Sequence, residues 1–345
     1  MDLMLSAEQE SIRDAIRTML RDRMPSERVR ALMASDAPVD RGFWAQAGDL
    51  GWFGLALAED AGGAGYGLPE AMLLFTELGR SLVPGPWLGC VVGAAALATT
   101  PGLRKALDAV VAGKELVALV DDPGDALGTG PTLDGRVDHV IDADLVDAFV
   151  ILGSRAVRWV AKGAKGLAVS AQLSMDPTRR LGTLTAGGVA AEAVSADAAA
   201  LRRIATVLAA AEAVGVAERT LEMSVEYGKV RQQFGKPIGT FQAIKHRCAD
   251  MATRTEVARA VVVYASVAVQ DGEGDADFHV RSAKALAADA AIQNATDNVQ
   301  NHGGMGYTWE SDAHLYLKRA RVLEHVCGSR MTHLDAIASA WRVAG

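Results

Sequence analysis

From Leu201 to the C-terminus the chain is written in long alanine-rich runs, and no other feature narrows its fold as much. Helical stretches are expected over 201–228, 240–270, 276–301 and 311–343, with breaks at Gly235, Gly272 and Gly303. Alanine loses no side-chain freedom in a helix, so such runs favour that state locally. Four helices joined by short connections suggest a bundle.

The region before the bundle follows two other patterns. Between about Leu116 and Ser195 lie short β-leaning runs, LVALV, HVI, AFVIL, VRWVA and GLAVS, separated by Asp, Gly and Pro. They read as a small β-domain. The N-terminal part is helical again. Ser6 with Gln9 reads as a capping box, and Ile12, Ile16, Met19 and Leu20 share one face of a helix that should stop before Pro25. Gly48 to Gly67 is a glycine-punctuated loop, and Pro69 opens the next helix, toward Leu82. The expected organisation is an N-terminal helical domain over 1–115, a reduced β-domain over 116–195 and a C-terminal helical bundle over 196–345: an α+β fold, mainly α.

Composition excludes several classes of function. Half the residues are hydrophobic and 22% are charged, a balance that argues against long disorder. Lysines and arginines number 35 against 42 acidic residues, a formal charge of −7, with no basic run to follow a phosphate backbone. Nucleic acid is therefore not expected as a partner. Cys90, Cys248 and Cys327 are too few and too scattered for a disulfide framework or a four-ligand zinc site, and no metal is expected. The first twenty residues lack the pattern of an export signal, and no apolar run of about 18 residues occurs. A soluble cytoplasmic protein without membrane contact is expected.

The bundle carries two motifs with chemical content. RQQFGKPIGTFQAIKH, Arg231 to His246, and QNHGGMGY, Gln300 to Tyr307, closely resemble the FAD-binding stretches of the acyl-CoA dehydrogenases. LGWFGLALAEDAGGAGYG and ELGRSLVPGP near the N-terminus also resemble that family, as does the order of helices, β-domain and bundle. The resemblance implies an acyl-CoA dehydrogenase-like fold and an FAD cofactor held by Arg231, Gln233, Phe234, Gln242, Gln300, Gly303, Gly304 and Ser329. The residue types suit that task. A guanidinium fork stays charged and can bond two pyrophosphate oxygens at once. Gln233, Gln242 and Gln300 add neutral donors, and Phe234 offers a flat face to a ring or to a neighbouring helix. Gly303 and Gly304 let backbone N–H groups approach a bulky ligand, although such a pair after a helix also reads as a plain C-cap.

The reaction implied by the resemblance removes a proton beside a thioester carbonyl and a hydride from the next carbon, and it needs a base. Many members supply it as the Glu of a Tyr-Glu-Gly-Thr element, to which Val326, Cys327, Gly328 and Ser329 correspond. Others place it on the first bundle helix, at the position of Ala205. Neither position carries a carboxylate, so the catalytic residue is unknown at this point. Cys327 keeps a backbone N–H that can serve as an oxyanion donor. A catalytic thiol would need a cation beside it, for which His325 and Arg330 are the sequence neighbours, and Glu324 lies one helical turn earlier. The family's flavin-ring elements, Thr-Glu-Pro-x-x-Gly-Ser-Asp and Trp-Ile-Thr, are missing from 116–195.

This combination resembles the shortened subunits of bacterial heteromeric acyl-CoA dehydrogenases, including those acting on steroid side-chain thioesters. The implied partners are an acyl-CoA substrate, a redox partner taking electrons from FAD, and either copies of itself or a longer acyl-CoA dehydrogenase subunit. Two other readings stay open: a scaffold that only completes a partner's FAD site, and another flavin-dependent oxidation on the same fold.

Overall fold

A computed structural model describes residues 4–36 and 38–344; the first three residues of the N-terminal reading lie outside it. The helices before the sheet region are α1 (Ala7–Arg23), α2 (Ser26–Met33), α3 (Arg41–Asp49), α4 (Leu68–Arg80), α5 (Trp87–Leu97) and α6 (Arg104–Val111). Seven strands follow: β1 (Val117–Asp121), β2 (Thr132–Ile141), β3 (Ala148–Leu152), β4 (Val157–Ala161), β5 (Leu167–Gln172), β6 (Leu181–Ala190) and β7 (Glu192–Val194). Then come α7 (Ala198–Val230), the short strands β8 (Gln232–Gln233) and β9 (Lys236–Pro237), α8 (Gln242–Gln270), α9 (Ala276–His302), α10 (Ala313–Leu323) and α11 (Arg330–Ala344).

The N-terminal signals act as expected. Ser6 Oγ accepts from the Gln9 N–H at 3.2 Å while Gln9 Oε1 accepts from the Ser6 N–H at 3.0 Å, and α1 ends before Pro25. Pro69 sits in the first turn of α4, where a missing N–H costs nothing.

The chain divides into two compact units, one of Met1–Glu27, Met72–Val83 and Thr206–Gly345, the other of Arg28–Ala71 and Pro84–Ala205. The second unit holds both sheets, in the orders β1-β3-β4-β7 and β2-β6-β5. All pairings in them are antiparallel except β1 with β3. Trp87 packs against Trp44 and Phe53 in this unit, at centroid distances of 4.2 and 5.3 Å, a concentration of the chain's few aromatics. Beyond β1, the Asp122 carboxylate accepts N–H bonds from Ala126 and Leu127 at 2.7 and 2.9 Å. Arg158 of β4 donates to the Gly128 carbonyl at 2.7 Å, so this loop is tied to the sheet.

In the first unit α4 and α7 cross in backbone contact. A Cβ on Gly215 would lie 1.9 Å from the Thr76 carbonyl oxygen, and one on Gly79 would lie 2.1 Å from that of Glu212. Only glycine permits that approach. Gly215→Ala is therefore expected to force the helices apart and cost about 1–3 kcal/mol in urea unfolding. An unchanged midpoint would show that the crossing has slack.

One expectation fails. The stretch 311–343 is not a single helix but two, α10 and α11, separated at 324–329. Cys327 and Gly328 both take positive φ there, 57° and 98°, which a right-handed helix cannot accommodate.

Candidate functional site

Arg231 lies just past α7, where the chain turns into the β8–β9 hairpin. Gln233 pairs with Lys236, and the two tip residues, Phe234 and Gly235, have φ of 52° and 77°. Two positive φ values in a two-residue loop make a primed turn, which matches the twist of the paired strands. Glycine adopts it freely, whereas phenylalanine rarely does. The Phe234 ring is 92% exposed and meets Phe241 edge-on, with centroids 6.1 Å apart. It is not a core residue of this chain.

Several contacts gather the ends of three helices. The rings of Tyr227 and His302 stack with centroids 4.2 Å apart, joining the last turns of α7 and α9. Ser224 donates to Asn298 Oδ1 at 2.9 Å, and Arg247 of α8 donates to Asn301 Oδ1 at 2.8 Å. Arg231, Gln233, Phe234, Gln242, Gln300, Gly303 and Gly304 thus stand at one end of the bundle, and all are exposed. Arg254 nearby is committed to Asn294 at 2.9 Å and to Asp297. The Arg231 guanidinium has no such ion pair among the described residues. Gly303 ends α9, its N–H donating to the Gln300 carbonyl, with φ 58° and ψ −138°, a conformation open essentially to glycine alone. A Cβ on Gly303 or on Gly304 would meet nothing within 4 Å. These glycines border open space, and packing within the chain does not require the second of them.

Ser329 is not brought to this end. Its Oγ accepts from the Thr332 N–H at 3.2 Å and caps α11. The adjacent Gly328 carbonyl is bonded to Lys284, eighteen residues before His302 on α9, which places Ser329 about 27 Å along that helix from the glycines.

At the two base positions, Ala205 is fully buried and Cys327 occupies the break between α10 and α11. Glu324 accepts from Arg321 at 3.3 Å, back along α10. His325 is exposed, and the Arg330 guanidinium lies 3.9 Å from Asp289. The cation buried beside this turn is Lys284, which sequence reasoning missed. Burial pushes its ammonium down to about 8, against the pull of Cys327 and Glu324. The available signal was a lysine four residues after Val280 and seven before Ala291, on the buried stripe of α9.

Comparison with known proteins agrees with this architecture. Residues 6–105 match the acyl-CoA dehydrogenase N-terminal domain family and residues 184–341 the C-terminal domain family. The chain is 36% identical over 316 residues to acyl-CoA dehydrogenase IpdE2 of Mycobacterium tuberculosis, covering 91% of each. The fold superposes with a TM-score of 0.89 on a chain of the ChsE4-ChsE5 complex from Mycobacterium tuberculosis, at 28% identity and 99% coverage of both. A variant of the Tcur3481-Tcur3483 steroid ACAD follows with a TM-score of 0.88, 26% identity and coverage of 98% and 99%. Among the described residues no helix is long and apolar enough to cross a membrane. With both ends of the chain matched and a relative aligned across nine-tenths of its length, the chain belongs to the acyl-CoA dehydrogenase family.

Proposed function

We propose that this chain is one subunit of an FAD-dependent acyl-CoA dehydrogenase, contributing nucleotide contacts to a heteromer whose longer partner brings the catalytic carboxylate. The carrying observation is a contrast within the chain. Arg231, Gln242 and Gln300, whose side chains bond no other group among the described residues, stand with open glycines at one end of the bundle, while both base positions lack a carboxylate. Similarity to chains from the ChsE4-ChsE5 and Tcur3481-Tcur3483 assemblies supports the heteromeric reading, and the latter's description as a steroid ACAD favours a steroid side-chain acyl-CoA over a short fatty acyl-CoA.

The residues fit FAD. Arg231 would hold the pyrophosphate, Gln242 and Gln300 would bond the nucleotide, and the Gly303–Gly304 backbone would lie against it. The exposed Phe234 ring would cover an adjacent ring, and Gln233 would support it from the hairpin. Ser329, standing apart from these, would contact a different portion of a cofactor or a second copy of it. Bound FAD supplies the hydride acceptor, and a redox partner would remove the electrons. The chain's own task is to bind and orient. We place it in the cytoplasm, a reading supported by three free cysteines.

The test is flavin content of the assembly purified with its partner. Arg231→Ala is expected to lower FAD occupancy by at least about tenfold at limiting cofactor, in line with loss of a charge-assisted bond. Gly304→Lys should displace the nucleotide while the circular dichroism spectrum stays unchanged, because its Cβ enters open space. An assembly that takes up no FAD would overturn the reading, and full occupancy in the Gly304 variant would reduce the glycines to a helix stop.

A further inference from the structure

We propose that Lys284 is a positioning residue: its ammonium clamps both limbs of the turn between α10 and α11 and thereby sets how Cys327 is presented. The inference concerns the turn's geometry, and its functional meaning rests on the reading of Cys327 as the residue at the family's base position.

The last carbonyls of a helix have no intrahelical partner. At the end of α10, Lys284 Nζ donates to two of them, Leu323 at 2.9 Å and Glu324 at 3.2 Å. It reaches the far side of the turn as well, donating to the Gly328 carbonyl at 3.1 Å. An ammonium has three protons, and three carbonyls take them. Its side chain is 0% exposed, so the charge is held away from bulk solvent, and it lies favourably at a helix C-terminus.

A second side chain completes the clamp. His333 of α11 is buried, and its Nε2 lies 2.9 Å from the Cys327 carbonyl. A carbonyl only accepts, so Nε2 carries the proton. Burial and the nearby Lys284 charge push the imidazole down to about 4, leaving the ring neutral and Nδ1 a bare acceptor. Gly328 donates to the His325 carbonyl at 3.3 Å, and a Cβ at Gly328 would come within 3.0 Å of His333 Nε2. The peptide on the C-terminal side of Cys327 is thus held through both its carbonyl and its N–H. That is how a non-glycine residue is kept at φ 57°. Gly328 alone could break a helix; burying a lysine here adds control over the direction of the turn.

Deprotonation separates the clamp from general stability. The groups facing Lys284 are Glu324 at the end of α10, Cys327 in the turn and His333 on α11, with Arg281 on α9 itself facing His333. The folded ammonium titrates at about 8, below the ordinary 10.5. Between those values the unfolded chain holds the proton longer, so the global fold gains stability as pH rises. Over the same rise the clamp loses one donor. The turn and the fold should respond to pH in opposite senses.

The experiment measures amide exchange protection of residues 324–330 against that of α8 and the rest of α9, from pH 6.5 to 9, in the wild-type chain and in Lys284→Met. Protection in the turn should fall about tenfold or more in the variant, with less than about a threefold change elsewhere. In the wild type, turn protection corrected for intrinsic exchange should decline through pH 8, and this trend should vanish in Lys284→Met. Maleimide labelling of Cys327 in a Cys248→Ser background should accelerate in parallel. If the Met variant does not fold, Lys284→Gln, which keeps two donors without a charge, replaces it and should lose the pH trend while keeping part of the protection. Unchanged turn protection, or an even loss across α8, α9 and α11, would overturn the proposal. Failure of FAD uptake by the assembly would sink the functional reading while leaving these exchange results standing, so the two failures are distinguishable.

Discussion

Purified alone, the chain is expected to oxidise acyl thioesters about 10² to 10⁴ times more slowly than the assembly with its longer partner, the range that loss of a general base typically costs. The reason lies in two positions. Ala205 is fully buried and has no proton acceptor, and Cys327 carries a thiol where many relatives carry a carboxylate. Glu324 is the nearest acidic side chain in sequence, but it is turned toward Arg321. The measurement uses an artificial electron acceptor and several acyl-CoA thioesters, with FAD content matched between samples. Cys327→Ala is the control. If the isolated chain is active and this variant abolishes turnover while keeping FAD, the thiol is the base and the need for a partner falls. If Glu324→Gln does so instead, the base has moved one turn along the chain.

Local signals were enough wherever the fold is decided locally. The Ser6–Gln9 cap, Pro69 in the first turn of α4 and the alanine-rich runs of α7, α8 and α9 all follow from neighbouring residues. The β-leaning runs became strands for the same reason, but the parallel pairing of β1 with β3 and the separation into two sheets depend on distant segments. The break at 324–329 was hidden by the apolar periodicity on either side. The positive φ of Cys327 and Gly328 makes the break, and the turn is bonded to a lysine forty residues upstream, at a separation no local window covers. Phe234 shows a further limit. Its exposure follows from the hairpin that carries it, and an aromatic in an otherwise polar run gives no local sign of which way it faces.

The same dependence on distant partners governs stability. Arg319 of α10 donates to Glu212 of α7 at 2.6 Å and to the Leu82 carbonyl at 3.3 Å, and both charged side chains are buried. Such a pair adds little over an apolar pair of similar volume, because removing two charges from water offsets most of their attraction. Breaking it is another matter. Glu212→Ala leaves a guanidinium that cannot lose its proton inside the first unit, and a loss of about 3–5 kcal/mol in urea unfolding is expected. Arg319→Met should cost a comparable amount by removing the buried guanidinium that the Glu212 carboxylate accepts from. The double variant Glu212→Ala, Arg319→Met closes the cycle and separates pairing from the two individual losses. Its loss should be clearly smaller than that of Glu212→Ala, since no uncompensated charge remains. If the double variant is instead as unstable as the two single losses added together, the pair is not acting as a unit, and the contribution of Arg319 lies in its bond to Leu82 and in the volume its side chain fills.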